Sequence, residues 1–120
     1  MAKFLFVILD DPANLADSIK AAHALHYAAE LKENGHEVYV YFDGLGTKIP
    51  ITESPYKGLR PAYERAVSGG LILGACGYCA SPPRLNIREK LPVSIKLFGD
   101  EAHHYAFTDL VEKGFQIVLS

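Results

Sequence analysis

Leu71-Ile72-Leu73-Gly74-Ala75-Cys76-Gly77-Tyr78-Cys79-Ala80 is the stretch on which the reading of this chain turns. An apolar run bounded by Gly69-Gly70 and Gly74 is the length of a buried strand and too short for a helix. It runs directly into a Cys-x-x-Cys, and Ser81-Pro82-Pro83 follows. Ser81 reads as an N-cap and Pro82 as a first helical residue, so a third helix is expected over Pro82 to Lys90. That places both thiols between the C-terminal end of a strand and the start of a helix, where α/β proteins gather ligands and where unpaired N–H groups favour a thiolate. Cys76 and Cys79 are the only cysteines in the chain.

Working outward, Lys3 to Leu9 is a near-continuous apolar run, as expected of a strand covered on both faces. Asn14 with Asp17 resembles a capping box, so a helix is expected from Leu15 to Asn34, closed by Gly35. Its inward stripe is Leu15, Ile19, Ala22, Leu25 and Ala29, and its many alanines allow close approach to a sheet or a second subunit. His36 to Phe42 carries the β-branched and aromatic content of a second strand. The intervening helix makes the first two strands a right-handed, parallel βαβ unit. Asp43 to Thr47 reads as a flexible glycine-containing loop. A helix ends near Ser68, its start falling between Tyr56 and Arg60 because Gly58 and Pro61 interrupt the pattern.

Beyond the cysteines, Val93 to Phe98 reads as a fourth strand and Gly99-Asp100 as a turn. Glu101 to Lys113 reads as a helix with Ala102, Ala106 and Leu110 inward, and Phe115 to Leu119 as a fifth strand. This alternation predicts a single domain over residues 1–120, a three-layer α/β/α fold on a mostly parallel five-stranded sheet.

With 120 residues, 49% of them hydrophobic, 22% charged and a net charge of −2, the chain has ordinary globular composition and no general electrostatic grip on nucleic acid. No apolar run approaches a membrane span. Strand-like sequence begins almost at Met1 without a signal-peptide layout, so a cytoplasmic location is expected, where a cysteine pair is catalytic, redox-active or metal-binding more often than a structural staple.

The strand ends share one edge of a parallel sheet. That edge collects Asp10, Asp11, Asp43 with the Gly44–Gly46 loop, Cys76, Cys79, and Asp100 with His103. Four readings of the thiols remain open there. A dithiol redox couple resembles thioredoxin in motif, but no Trp precedes it and two prolines follow. A zinc site has two ligands of four, because His103 and His104 are adjacent and would diverge on a helix. A sulfur-handling nucleophile needs a reachable thiolate. The fourth reading is two inert buried thiols. Among lesser features, the Gly44-Leu45-Gly46-Thr47 stretch lacks a full phosphate-binding pattern, His26 reads as a core or interface histidine, and Tyr105 and Phe107 as packing groups.

The layout resembles the DsrE/DsrF-like family, which includes sulfur-relay subunits of TusD type and YchN-type proteins. The resemblance spans the Phe4–Leu9 strand, the alanine-rich helix with Gly35-His36-Glu37-Val38, the strand Ile72-Leu73-Gly74-Ala75-Cys76 with Ala80 and Arg84 downstream, and the ending Val111 to Val118. It implies a flavodoxin-like fold, a homo-oligomer (dimer, trimer or hexamer), another sulfur-relay protein as partner, and no organic cofactor. It also implies persulfide sulfur carried on a cysteine here, with Cys76 in the family's position and Cys79 as a second or resolving thiol. Arg84, with Asp10, Asp43 and His103, becomes the expected substrate-binding set. Arg84 departs from the family's Arg-Gly pair, since Leu85 follows it. The alternative is a non-catalytic oligomeric binding module built on the same edge.

Overall fold

The computed structural model describes residues 1–120. Strand β1 (Lys3–Ile8) is joined to β2 (Glu37–Phe42) through helix α1 (Leu15–Glu33), and the two strands pair in parallel from Lys3 opposite Glu37 to Ile8 opposite Phe42. Helix α2 (Leu59–Ser68) leads to β3 (Ile72–Cys76), which runs into a one-turn helix α3 (Gly77–Ala80). After β4 (Leu97–Phe98), helix α4 (Thr108–Glu112) precedes β5 (Gln116–Leu119). All pairings are parallel, in the order β4-β3-β2-β1-β5. The chain steps outward from β1 to β4 and then crosses back to the opposite edge.

That path explains the three layers. Helices α1 and α2 lie against one face, where Ala21, Ala22, Ala24, Leu25, Ala28 and Ala29 pack with Phe6, Ile8, Val38, Val40 and Phe42. Small side chains let α1 sit close to the strands, and each buried methylene contributes about 0.8 kcal/mol. Asn14 accepts the Asp17 N–H at 3.0 Å, as its capping role requires. Leu15, expected inward, is exposed because it stands in the first turn, before α1 reaches the sheet. On the other face, Leu5, Val7, Tyr41, Cys76 and Phe115 are covered by Tyr105, Phe107 and Leu110 from the return crossing. No helix is long and apolar enough to cross a membrane.

The fold class matches the sequence expectation, and four further local expectations are corrected. No helix forms over Pro82–Lys90. Ser81 closes α3 with an extended φ/ψ of −64°/158°, and the chain beyond it turns instead of propagating a helix: the Arg84 and Asn86 N–H groups both return to the Ser81 carbonyl at 3.0 Å, and Asn86 takes a left-handed φ of 54°. Only Arg88–Lys90 makes a 3₁₀ turn. The helix expected over Glu101–Lys113 shrinks to Thr108–Glu112, and Ala102 and Ala106 are exposed. Tyr105 and Phe107 both pack on Tyr41, with centroids 5.6 and 5.2 Å away. An i, i+2 pair shares a face in extended chain and not in a helix, so aromatic packing overrides the helical pattern. Strand β4 keeps only two of the six expected residues, because Pro92 starts a turn closed by the Ile95 N–H at 2.9 Å. Finally, Gly44–Ile51 is an ordered 3₁₀ run. A Cβ on Gly46 would collide with the Ile8 carbonyl, so glycine there lets the run seat against the end of β1.

Candidate functional site

The C-terminal edge of the sheet brings two strand ends and one extended segment to a single point. Asp43 ends β2, where its Oδ1 accepts the Gly44 N–H at 2.8 Å. Cys76 ends β3 and starts α3, and its sulfur accepts the Cys79 N–H at 3.1 Å, the position an N-cap oxygen usually takes. Cys79 sits one turn on, and its thiol donates to Asp43 Oδ1 at 3.5 Å. Gly77 is tightly placed between them, where an added Cβ would press on the Phe98 and Gly99 carbonyls at 3.0 and 2.9 Å.

The fourth member is His104. Its Nε2 lies 3.9 Å from Cys76 Sγ, 3.9 Å from Cys79 Sγ and 3.7 Å from Asp43 Oδ1. The segment carrying it is fixed at both ends. Asp100 Oδ1 accepts the N–H groups of Ala102 and His103 at 2.8 Å, which folds a turn. Tyr105 then packs on Phe98 with centroids 4.5 Å apart. In between, the His104 ring rests 4.9 Å from the Tyr78 ring. Asp43, Cys76, Cys79 and His104 thereby place one donor atom each within 4.8 Å of one another.

Exposure is graded across the cluster. Cys76 is fully buried, Cys79 is half-buried, and the His104 side chain is 50% exposed. Both thiols are free. Burial, followed by the hydrogen bond and charge of Cys76, pushes the Cys79 thiol up to about 12, which corrects the expectation that a helix start would favour its thiolate. Beneath Cys76 lies Tyr41, fully buried, its hydroxyl without a hydrogen-bond partner. Burial first, then the nearby Cys76 and Asp43 charges, hold that phenol far above its ordinary range.

The remaining expected site residues have other partners. Arg84 stacks on Tyr78 at 3.4 Å and donates to Ser81 Oγ at 2.8 Å and to the Glu101 carbonyl at 3.0 Å. It braces the His104 segment against α3. Asp10 accepts from the Ser120 hydroxyl and faces Lys20 at 3.5 Å, tying β1 to β5. His103 turns to Asp100, 3.0 Å away, while its neighbour His104 enters the cluster. The sequence groups His103 with Asp100 at the strand-end edge; the i, i+2 aromatics Tyr105 and Phe107 are the signal of extended chain that sends His104 into the cluster instead. The 3₁₀ run beyond Asp43 and helix α2 also border a cavity of about 560 Å³, but none of the four clustered residues lines it. A shallower groove of about 530 Å³ adjoins α3 at Gly77 and is lined by Gly99, Asp100, Glu101 and Arg88.

The chain matches no protein-family model and no curated protein.

Proposed function

We propose that this chain is a sulfur carrier that takes up sulfane sulfur on its cysteine pair and hands it to an acceptor protein. The observation that carries this reading is the convergence of two free thiols with His104 and Asp43 at the rim of a parallel sheet. Cys79 is the entry thiol, because Cys76 has no exposed surface. Its proton has two acceptors in reach, Asp43 Oδ1 at 3.5 Å and His104 Nε2 at 3.9 Å. The resulting thiolate attacks the outer sulfur of a donor persulfide. A bond forms between Cys79 Sγ and that sulfur, the donor's S–S bond breaks, and the donor leaves as a thiolate that takes up the proton. Cys76, whose sulfur accepts the Cys79 N–H, serves on this reading as the second thiol.

On this reading the chain is a cytoplasmic member of the DsrE/DsrF-like proteins, whose fold and cysteine position it resembles. Exposed Ile117 and Leu119 on edge strand β5 support the homo-oligomer that the resemblance implies. Incubating reduced, chelator-treated protein with low-molecular-weight persulfides, followed by peptide mass spectrometry, tests the proposal. One added sulfur atom on Cys79, lost in Cys79→Ser, is expected. Absence of an adduct on either cysteine across several donors removes the reading.

A further inference from the structure

We infer that Asp43, Cys76, Cys79 and His104 constitute a binding site for one tetrahedrally coordinated divalent cation of zinc type. This inference goes beyond sulfur transfer and needs only the four donors.

The geometry is the first argument. A tetrahedral zinc ion holds sulfur at about 2.3 Å and nitrogen or oxygen at about 2.0–2.2 Å, which sets ligand-to-ligand edges of about 3.3–3.8 Å. Four of the six edges here measure 3.5, 3.7, 3.9 and 3.9 Å, and the other two fall within 4.8 Å. Closing around an ion asks for only small inward movements of side chains.

The second argument separates a metal site from a proton relay. In a Cys-His-Asp relay the imidazole uses one ring nitrogen for the nucleophile and the other for the carboxylate. Here the same atom, Nε2 of His104, faces both sulfurs and the carboxylate. Four donor atoms converging on one point is the arrangement of coordination, and it leaves Nδ1 outside the cluster.

Donor chemistry then chooses the ion. Two thiols and an imidazole suit zinc and its cobalt substitute, whereas one carboxylate is a poor offer to calcium or magnesium. Outer contacts are in place as well. The Gly44 N–H orients Asp43 at 2.8 Å, and the Cys79 N–H meets the Cys76 sulfur at 3.1 Å. The Tyr41 hydroxyl, buried in one apolar cluster with Cys76 and without a partner, is a donor free for a thiolate. On loading, two metal–sulfur bonds form and both thiol protons leave to solvent.

The test uses the full, reduced chain titrated anaerobically with cobalt(II) and then with zinc(II). One cobalt per chain is expected, with the intense visible bands of a tetrahedral ion and a thiolate charge-transfer band, both erased by zinc. Cys76→Ser and Cys79→Ser should each weaken the charge-transfer band to about half, and the double variant should abolish it. Because Cys76 is buried and its variant can misfold, half-exposed His104 carries the decisive comparison. His104→Ala should weaken cobalt binding at least tenfold, while His103→Ala, one residue away, should bind as the parent does. A weak octahedral spectrum in the parent, or equal binding by His104→Ala and the parent, overturns the site. Persulfide uptake is scored separately on chelated protein, so failure of either inference leaves the other standing.

Discussion

The Cys79 thiol donates to the Asp43 carboxylate across 3.5 Å, linking the first turn after β3 to the end of β2. Burial first, then the hydrogen bond and charge of the neighbouring Cys76, and least the charge of Asp43, push the Cys79 thiol up to about 12. In metal-free, reduced protein, alkylation of Cys79 by iodoacetamide should therefore keep accelerating as the pH rises from 8 to 10 instead of levelling off near an ordinary thiol value of about 8.5. Asp43→Asn removes one of the charges that raise the thiol, so its rate at pH 8 should be higher by a factor of a few. A plateau below pH 9, read by mass spectrometry of quenched samples, would contradict this.

Tyr41 predicts effects of opposite sign in the two states of the site. Its orphaned, fully buried hydroxyl costs the metal-free fold about 1 kcal/mol or more. Tyr41→Phe should thus leave the metal-free protein as stable or more stable in urea unfolding. The same substitution should weaken cobalt(II) binding about tenfold, because it removes the unpartnered buried donor packed in one cluster with the ligand Cys76. Loss of stability together with unchanged metal affinity would refute the assignment.

Asp11 supplies a pH dependence away from the cysteines. The Ala13 N–H at 3.0 Å, then Lys48 at 2.9 Å, hold its carboxyl below the usual value. Because the folded-state pKa is depressed, this contribution is complete above the unfolded value of 3.8 and disappears as the pH falls through the folded one. The partners are partly solvated, so Asp11→Asn should cost about 0.5–1 kcal/mol at pH 7, and the gap should narrow below pH 4. Denaturant midpoints at pH 7 and pH 3 decide the matter.

Gly46 is a steric test of how the site is held. Gly46→Ala drives a methyl group into the Ile8 carbonyl, so the 3₁₀ run must move off the end of β1. A destabilisation of about 2–3 kcal/mol is expected, together with weaker cobalt binding because Asp43 leads into that run. Unchanged thermal stability would show that the run can shift freely.

Much of the fold is legible in the chain because its signals are local. The apolar run Lys3–Leu9, the cap at Asn14 and the β-branched stretch before Asp43 each report short-range physics, and they fall within a residue or so of the observed elements. The thiols are legible as a site because Cys-x-x-Cys at a strand end needs no tertiary information. His104 is not, since Glu101–Phe107 reads as helix until the ring of Tyr41 is there to receive Tyr105 and Phe107. The short helix after β3 was obscured similarly, because Ser81-Pro82 looks like a start when the preceding turn already ends there.

By itself, then, the sequence determined an alternating α/β chain with a parallel sheet and a cysteine pair at the end of its third strand, all consequences of periodicity, capping and turn chemistry. Only the tertiary structure decided that Asp43 and His104 join those thiols, that Arg84 braces the neighbouring segment, and that His103 and Asp10 serve other partners. The reason is that residues 25 to 61 positions apart meet only when sheet order and aromatic packing bring their segments to one edge, and no spacing in the chain records that meeting.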